Sequence, residues 1–98
     1  RVNNGPRAEQ SAARASMTLA PNPVAAGQLT QAILKDFPSQ SSVTLSVSDA
    51  SGRLVHTEVL EYRNGMSVSL SAPTAGMYTV TARQGARSFS QKLLVVGQ

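Results

Sequence analysis

The sequence predicts an all-β domain, a seven-stranded antiparallel sandwich of two packed sheets. At 98 residues the chain is long enough for one domain with a two-layer core and too short for a second. Aromatic residues make up only 4% and tryptophan is absent, whereas serine, threonine, alanine and valine dominate, which suits a small β-domain. Short stretches of alternating apolar and polar residues are separated by turn-forming residues, and this period of two indicates strands.

Composition also narrows the function classes. Without cysteine the chain can form neither a disulfide nor a thiolate metal site. It lacks a signal peptide and any apolar run near the roughly 20 residues that span a bilayer, so we expect no membrane insertion, and export only as part of a longer protein. The first 16 residues carry three arginines and one glutamate, and this excess of positive charge is half of the chain's net charge of +4. The other basic residues are scattered along the sequence. Nucleic-acid binding is therefore not expected.

The amino-terminal segment predicts a flexible linker. Residues 1–16 contain Val2 as their only large apolar side chain and cannot bury enough surface to fold alone. We expect them to join an upstream passenger to a domain spanning residues 17–98. A stiff corner follows at Pro21-Asn22-Pro23, because proline fixes φ. In the next strand candidate, residues 28–34, the apolar side chains do not keep one parity, which indicates a bulge or an end buried on both faces.

The central hairpin is predicted from its turn. The strand that ends at Asp49 alternates cleanly, and the next strand runs over residues 54–61. A type I turn from Asp49 to Gly52, with Gly52 left-handed, pairs Val47 with Val55 and brings the apolar faces together. A two-residue turn would slip the register by one and set Val47 opposite a histidine, so it is disfavoured.

Two further signals follow this hairpin. Asn64-Gly65 favours a type I′ turn to the next strand, which would pair Val59 with Leu70. Beyond it, the spacing of Gly76 and Tyr78 resembles a tyrosine corner, in which a buried ring sends its hydroxyl back to the backbone where the chain crosses between sheets. We therefore expect Tyr78 to have a structural role.

The last two strands form a hairpin over residues 77–83 and 87–96. A two-residue loop at either 84–85 or 85–86 joins them and keeps the apolar faces together, so the register stays open between the two. Residues 93–96 are apolar at both parities, and we expect both faces of that end to be covered. The count reaches seven short strands with turns between them, the pattern of an immunoglobulin-like sandwich.

No residue pattern favours an enzyme. His56 is the only histidine, and with Asp49 and the many serines it suggests a Ser-His-Asp set. In the predicted register, however, Asp49 lies opposite Arg53 and His56 lies on a mostly polar strand face, which favours a solvent-facing histidine. The sequence has no glycine-rich phosphate loop and no metal-ligand spacing, so we expect neither metal nor cofactor.

Four segments occur in a characteristic order and spacing: Pro21-Asn22-Pro23, Asp49-Ala50-Ser51-Gly52-Arg53, Gly76-Met77-Tyr78 and Lys92-Leu93-Leu94-Val95-Val96. With them, the chain from about residue 17 onward resembles the type A C-terminal sorting domain of the type IX secretion system, also called the Por secretion system. The resemblance implies the end of a larger exported protein of a Gram-negative bacterium, which passes through the periplasm and reaches the cell surface or the medium.

The resemblance also implies partners. These are the type IX outer-membrane translocon, its shuttle protein, and a sortase-like cysteine peptidase that removes the domain and joins the passenger to anionic lipopolysaccharide. Two alternatives stay open: an immunoglobulin-like structural or adhesive module that the mature surface protein retains, and an uncleaved signal-transmitting ligand for a periplasmic sensor domain.

Candidate site residues follow from the four segments. The recognition candidates are Pro21, Asn22, Pro23, Asp49, Gly52, Arg53, Gly76, Tyr78, Lys92, Leu93, Leu94, Val95 and Val96. The small residues that suit cleavage are Ser11, Ala12, Ala13, Ala15 and Ser16. Lys92 and the apolar run after it are the strongest candidates, because a free terminal strand can be recognised by edge addition as well as by its side chains.

Overall fold

The computed structural model describes residues 15–37 and 41–97, which form eight strands and no helix. The strands are β1 (Ser16–Ala20), β2 (Val24–Ala25), β3 (Thr30–Lys35), β4 (Ser42–Ser48), β5 (Leu54–Glu61), β6 (Met66–Leu70), β7 (Gly76–Gln84) and β8 (Arg87–Val96). The all-β prediction is confirmed, and the count is eight because the short β2 follows the proline corner.

The strands form two sheets with the core between them. One sheet has the order β1-β3-β6 and the other β2-β8-β7-β4-β5. The pairs are antiparallel except for β2 and β8, which run parallel. Alternation places one face of each inner strand in the core, and side chains such as Leu34, Leu45, Val80 and Leu93 are almost fully buried. The immunoglobulin-like sandwich fits this architecture.

The closing hairpin uses the second of the two loops that the sequence left open. Gln84 pairs with Arg87, so the loop is Gly85-Ala86, and Tyr78 lies opposite Leu93. Gly85 has a φ of 63°, a conformation that glycine adopts without strain. The Gln84 side chain is 4% exposed and its Nε2 donates to the Ser41 carbonyl at 3.1 Å, which holds Gln84 inside the strand.

The predicted register of the central hairpin is wrong. Val47 pairs with His56 rather than Val55, and the register shifts between Val47 and Ser48. The turn itself is as expected, since Gly52 has a φ of 89° and its N–H donates to the Asp49 carbonyl at 2.9 Å. The face-matching argument fails because β5 is the outermost strand of its sheet, where apolar residues need not face the core.

The predicted Asn64-Gly65 hairpin is also wrong. β5 and β6 lie in different sheets, and Leu70 pairs with Thr30 of β3 instead of Val59. The Gly65 N–H donates to the Leu34 carbonyl at 2.8 Å, which turns the chain from one sheet into the other. A strong turn signal therefore marks a crossing between sheets here, which local sequence cannot distinguish from a hairpin.

The third strand shows no bulge. β3 pairs with β1 and with β6 without a register shift, and Thr30, Ala32 and Leu34 face the core. Leu29, which had broken the parity, lies outside the strand and is 59% exposed. The inward polar residue is satisfied, because the Thr30 hydroxyl donates to the Pro21 carbonyl at 2.6 Å.

Candidate functional site

The four sequence segments meet at one end of the sandwich, which we call the motif end. In the five-stranded sheet, β4 and β8 end there and β5 and β7 begin there, since neighbouring strands run antiparallel. The proline corner after β1 reaches the same place through hydrogen bonds from Asn22 to β8. Segments up to 72 residues apart in sequence thus form one surface.

The proline corner closes the edge of the last strand. Asn22 Nδ2 donates to the Lys92 carbonyl at 2.8 Å, and the Leu94 N–H donates to Asn22 Oδ1 at 3.0 Å. Directly after this corner, β2 pairs with Val95 and Val96, and the Ala26 N–H donates to the Val96 carbonyl at 2.8 Å. The expectation that this terminal strand is free for edge addition is therefore wrong, because residues of the same chain already occupy the edge.

What remains accessible on the last strand is one face of side chains. Leu93 and Val95 are 1% exposed and pack in the core, whereas Leu94 and Val96 are 38% and 39% exposed. The expectation that both faces are covered is wrong. Met77 of β7 lies opposite Leu94 and is 42% exposed, so both side chains share the outer face. We call Met77, Leu94 and Val96 the apolar strip.

The Asp49 turn is held by its own side chain. Asp49 Oδ1 accepts hydrogen bonds from the Ser51 hydroxyl at 2.7 Å, the Arg53 N–H at 2.9 Å and the Ser51 N–H at 3.0 Å. These hydrogen bonds, with that of the Ser51 hydroxyl the largest cause, hold the pKa of the Asp49 carboxyl below its usual value of 3.8. Arg53 Nε lies 3.6 Å from Asp49 Oδ2, and the arginine side chain is 80% exposed. Asp49 therefore specifies the turn, and Arg53 presents charge at the surface.

Tyr78 forms the predicted tyrosine corner. Its side chain is 6% exposed, and its hydroxyl donates to the Thr74 carbonyl at 2.8 Å. The Thr74 hydroxyl lies 2.9 Å from the same phenol oxygen. Gly76 has a φ of 154°, which disfavours any residue with a side chain at this position. Both residues fix the start of β7 and thereby the place of Met77.

A groove of about 640 Å³ lies between the Asp49 turn and the segment from Ser71 to Tyr78. Val55, Met77 and Tyr78 contribute to its lining, with Arg53 at the turn. Met77 belongs to both the groove and the apolar strip, so the two features adjoin. Together they give the motif end an apolar surface beside an exposed positive charge.

Among the residues that the structure describes, His56 and Asp49 are not brought together as a catalytic set. His56 Nε2 lies 3.6 Å from Glu58 Oε2, and Asp49 is engaged within its own turn. Over residues 15–37 and 41–97, no cluster of three or more histidine, aspartate or glutamate side chains could hold a metal ion. That part of the chain also contains no helix long and apolar enough to cross a membrane.

The cleavage candidates divide into two groups. Ser11, Ala12 and Ala13 lie outside the described residues, as do most of the predicted linker residues. Ala15 packs against the core, and Ser16 is the first residue of β1, paired with Lys35. Ala15 and Ser16, which the sequence assigns to the linker, therefore belong to the folded domain.

Sequence reasoning missed two features of this surface. One is the edge lock made by Asn22 and β2, for which a two-residue strand gives too short a pattern to detect. The other is Met77, which the sequence pattern could have revealed. It is an apolar residue on the face of β7 that otherwise carries Thr79, Thr81 and Arg83.

Comparison with known proteins gives a family match and similar solved structures. Residues 18–96 match the family described as the secretion system C-terminal sorting domain. No curated protein is significantly similar to the chain. Among solved structures, that of dimeric latent PorU from Porphyromonas gingivalis is similar with a TM-score of 0.58 and 19% identity, over 86% of this chain and 9% of that chain. This likeness shows that the fold is shared, with the chain spanning about a tenth of the larger protein.

Proposed function

The chain belongs to the type IX secretion system C-terminal sorting domain family, and we propose that it directs a passenger, joined at its amino-terminal side, through the type IX translocon. The domain then acts as the sorting signal of an exported protein rather than as a catalyst, which fits the absence of a catalytic motif in the sequence. Export delivers the passenger across the outer membrane to the cell surface or the medium.

The observation that carries this proposal is the convergence of the four segments at the motif end. Asn22, Asp49, Gly76 and Tyr78 have structural partners or conformations there that explain them. The apolar strip has no such explanation, because packing of the core requires only Leu93 and Val95 of the last strand. We therefore infer that the shuttle protein and the translocon recognise the apolar strip, with Lys92 and Arg53 as flanking charges.

A reporter fusion tests this role. Residues 1–98 attached to the carboxyl end of a neutral folded reporter should bring it to the surface of a type IX-competent host. The same fusion should remain in the periplasm of a host that lacks the translocon. Periplasmic retention in the competent host would overturn the proposal.

Truncation of the last strand is a poor test. Removing residues from Lys92 onward also removes Leu93 and Val95, which are 1% exposed, and the loss of core would unfold the domain. Leu93→Thr serves as the destabilised control, since it places a hydroxyl in the core. Substitutions of the exposed Leu94 and Val96 separate recognition from folding.

We further propose that a sortase-like peptidase cuts the chain before Ala15 and transfers the passenger to anionic lipopolysaccharide. The support is that Ala15 packs on the core and Ser16 is paired in β1, so the Ala15–Ser16 bond is held within the fold. The proposed cut near Ser11–Ala13 lies upstream of both residues. The intact mass of the surface form should therefore correspond to a chain that ends before Ala15. A mass that includes residues 15–98 would identify a retained module instead.

A further inference from the structure

The outer strand of the larger sheet, β5, has an open edge. Within residues 15–37 and 41–97 it pairs with β4 alone. Three large apolar side chains are exposed on it: Leu54 at 55%, Val55 at 46% and Val59 at 68%. Open edges with apolar side chains pair readily with other chains, and proteins usually protect them with charge or short length. The exposed residues of the edge strands in the other sheet are polar or small, as in β1 and β6.

The sequence of β5 is self-complementary about Thr57. Residues 53–61 read RLVHTEVLE, and reversal about Thr57 exchanges each residue with one of matching character. An antiparallel copy centred there pairs Thr57 with itself, His56 with Glu58, Val55 with Val59, Leu54 with Leu60, and Arg53 with Glu61. Every apolar residue meets an apolar residue, Glu61 meets Arg53, and Glu58 meets His56.

Neighbouring registers lack this match. Moving the centre by half a residue sets His56 opposite Val59 and Thr57 opposite Glu58. Moving it by one residue sets Glu58 opposite Glu58 of the second copy, which is unfavourable. The register shift leaves Val55 without a partner in β4, so the regular stretch of β5 is residues 56–61, which carries the pairs of Thr57 with itself and of His56 with Glu58.

We propose that two copies of this domain associate through β5, which pairs antiparallel with itself about a two-fold axis at Thr57. The resulting sheet is continuous across both copies, and the interface is isologous. Association covers Leu54, Val55 and Val59 and leaves the apolar strip on the last strand accessible. Self-pairing does not use the apolar strip, although Arg53 and Val55 belong both to the paired segment and to the groove at the motif end.

The association is expected to be weak. One strand pair buries less than the roughly 1,200 Å² at the lower end of standard interfaces. We therefore expect a Kd of about 10–100 µM, measured by sedimentation velocity on the 98-residue chain. A monomer at concentrations of about 1 mM would overturn the proposal.

Charge variants test the pairing. His56→Glu sets a glutamate opposite Glu58 of the second copy, and Glu58→Lys sets a lysine opposite His56. Each variant alone should therefore dimerise with a Kd about tenfold higher. An equimolar mixture of the two should restore dimers, because each His56→Glu strand then faces a Glu58→Lys strand. Thr18→Glu and Thr18→Lys on the edge strand β1 are the controls and should leave the Kd unchanged. Unchanged Kd values for the β5 variants, or a mixture that stays monomeric, would contradict the proposal.

A cysteine scan tests the register. The chain has no cysteine, so Thr57→Cys introduces a single thiol. In the proposed pairing its Cα lies about 4.5–5.5 Å from that of the second copy, within the range of a disulfide. Thr57→Cys should therefore cross-link under mild oxidation, whereas Glu61→Cys, whose Cα atoms lie roughly 27 Å apart, should not. Equal cross-linking of both variants would overturn the two-fold at Thr57.

Discussion

The two ends of the sandwich use similar interactions to different effect. At the end opposite the motif end, which we call the aromatic end, Phe37 packs on Tyr62 with ring centroids 5.1 Å apart and on Phe89 at 4.7 Å. The Phe37 N–H donates to the Tyr62 hydroxyl at 3.1 Å, which in turn donates to Asn64 Oδ1 at 3.0 Å. These groups satisfy one another inside the domain.

The motif end also satisfies its polar groups, through Asn22, Asp49 and Tyr78. It differs in what it leaves outside: three large apolar side chains on one face, beside a groove. The difference shows how packing and recognition can be separated in this domain. A residue whose partners are all internal explains the fold, and an exposed apolar residue that the fold does not need is a candidate for contact with another protein.

The largest expected effect is at the aromatic end. Phe37→Ala removes a ring that is 7% exposed and packed against two others, and it should lower the free energy of unfolding by about 3–5 kcal/mol. Phe37→Leu keeps most of the volume and should lose much less. Urea denaturation measures both. A loss below about 1 kcal/mol for Phe37→Ala would show that this end is not a packed core.

A matched pair of asparagines compares the ends directly. Asn22→Ala removes two hydrogen bonds to β8, and Asn64→Ala removes those from the Asp36 N–H and the Tyr62 hydroxyl. Each should cost about 1–3 kcal/mol. Only Asn22→Ala should raise the hydrogen exchange of the Leu94 amide, because it unlocks the edge of β8. Equal exchange of that amide in both variants would contradict the lock.

The Asp49 turn predicts a pH dependence. The folded-state pKa of Asp49 is lowered, so its contribution to stability is present above the usual value of 3.8 and is lost as the pH falls from there through the folded-state pKa. Asp49→Asn should flatten this part of the stability curve, since the amide carries no charge to lose. Denaturation midpoints between about pH 2 and 5 measure the effect. An unchanged acid slope in Asp49→Asn would refute this assignment.

The smallest expected effect on stability is at the apolar strip. Leu94→Thr and Val96→Thr keep good strand residues on an exposed face and should each change the free energy of unfolding by less than about 1 kcal/mol. The adjacent Leu93→Thr should cost about 2–5 kcal/mol, because Leu93 is 1% exposed. Similar losses at 93 and 94 would mean that the outer face contributes to packing.

The sequence predicts the fold class, most strands and several local structural motifs. Alternation identified β4, β7 and β8, and the chemistry of Asp49, Gly52 and Tyr78 identified a turn and a corner that the structure contains. These features depend on interactions within a few residues. The family resemblance was likewise confirmed over residues 18–96.

The pairing of strands was less predictable. The register of β5 depends on whether other parts of the protein cover both faces of the strand, which the sequence does not show. The sequence Asn64-Gly65 likewise does not show that it joins strands of different sheets. The sequence motifs identify the site residues individually, but their convergence depends on the strand register and on the hydrogen bonds between Asn22 and β8, which join segments distant in sequence. Such contacts are set by the tertiary fold rather than by local pattern.

The most direct test of the central claim is export of a reporter carrying Leu94→Thr and Val96→Thr together. Val59→Thr is the matched control, since Val59 is an equally apolar residue, 68% exposed, away from the motif end. Circular dichroism should first show that both variants are folded. The reporter with the double variant should then remain in the periplasm, and the reporter with Val59→Thr should reach the surface like that with the unmodified domain. Normal surface delivery of the folded double variant would contradict recognition through the apolar strip.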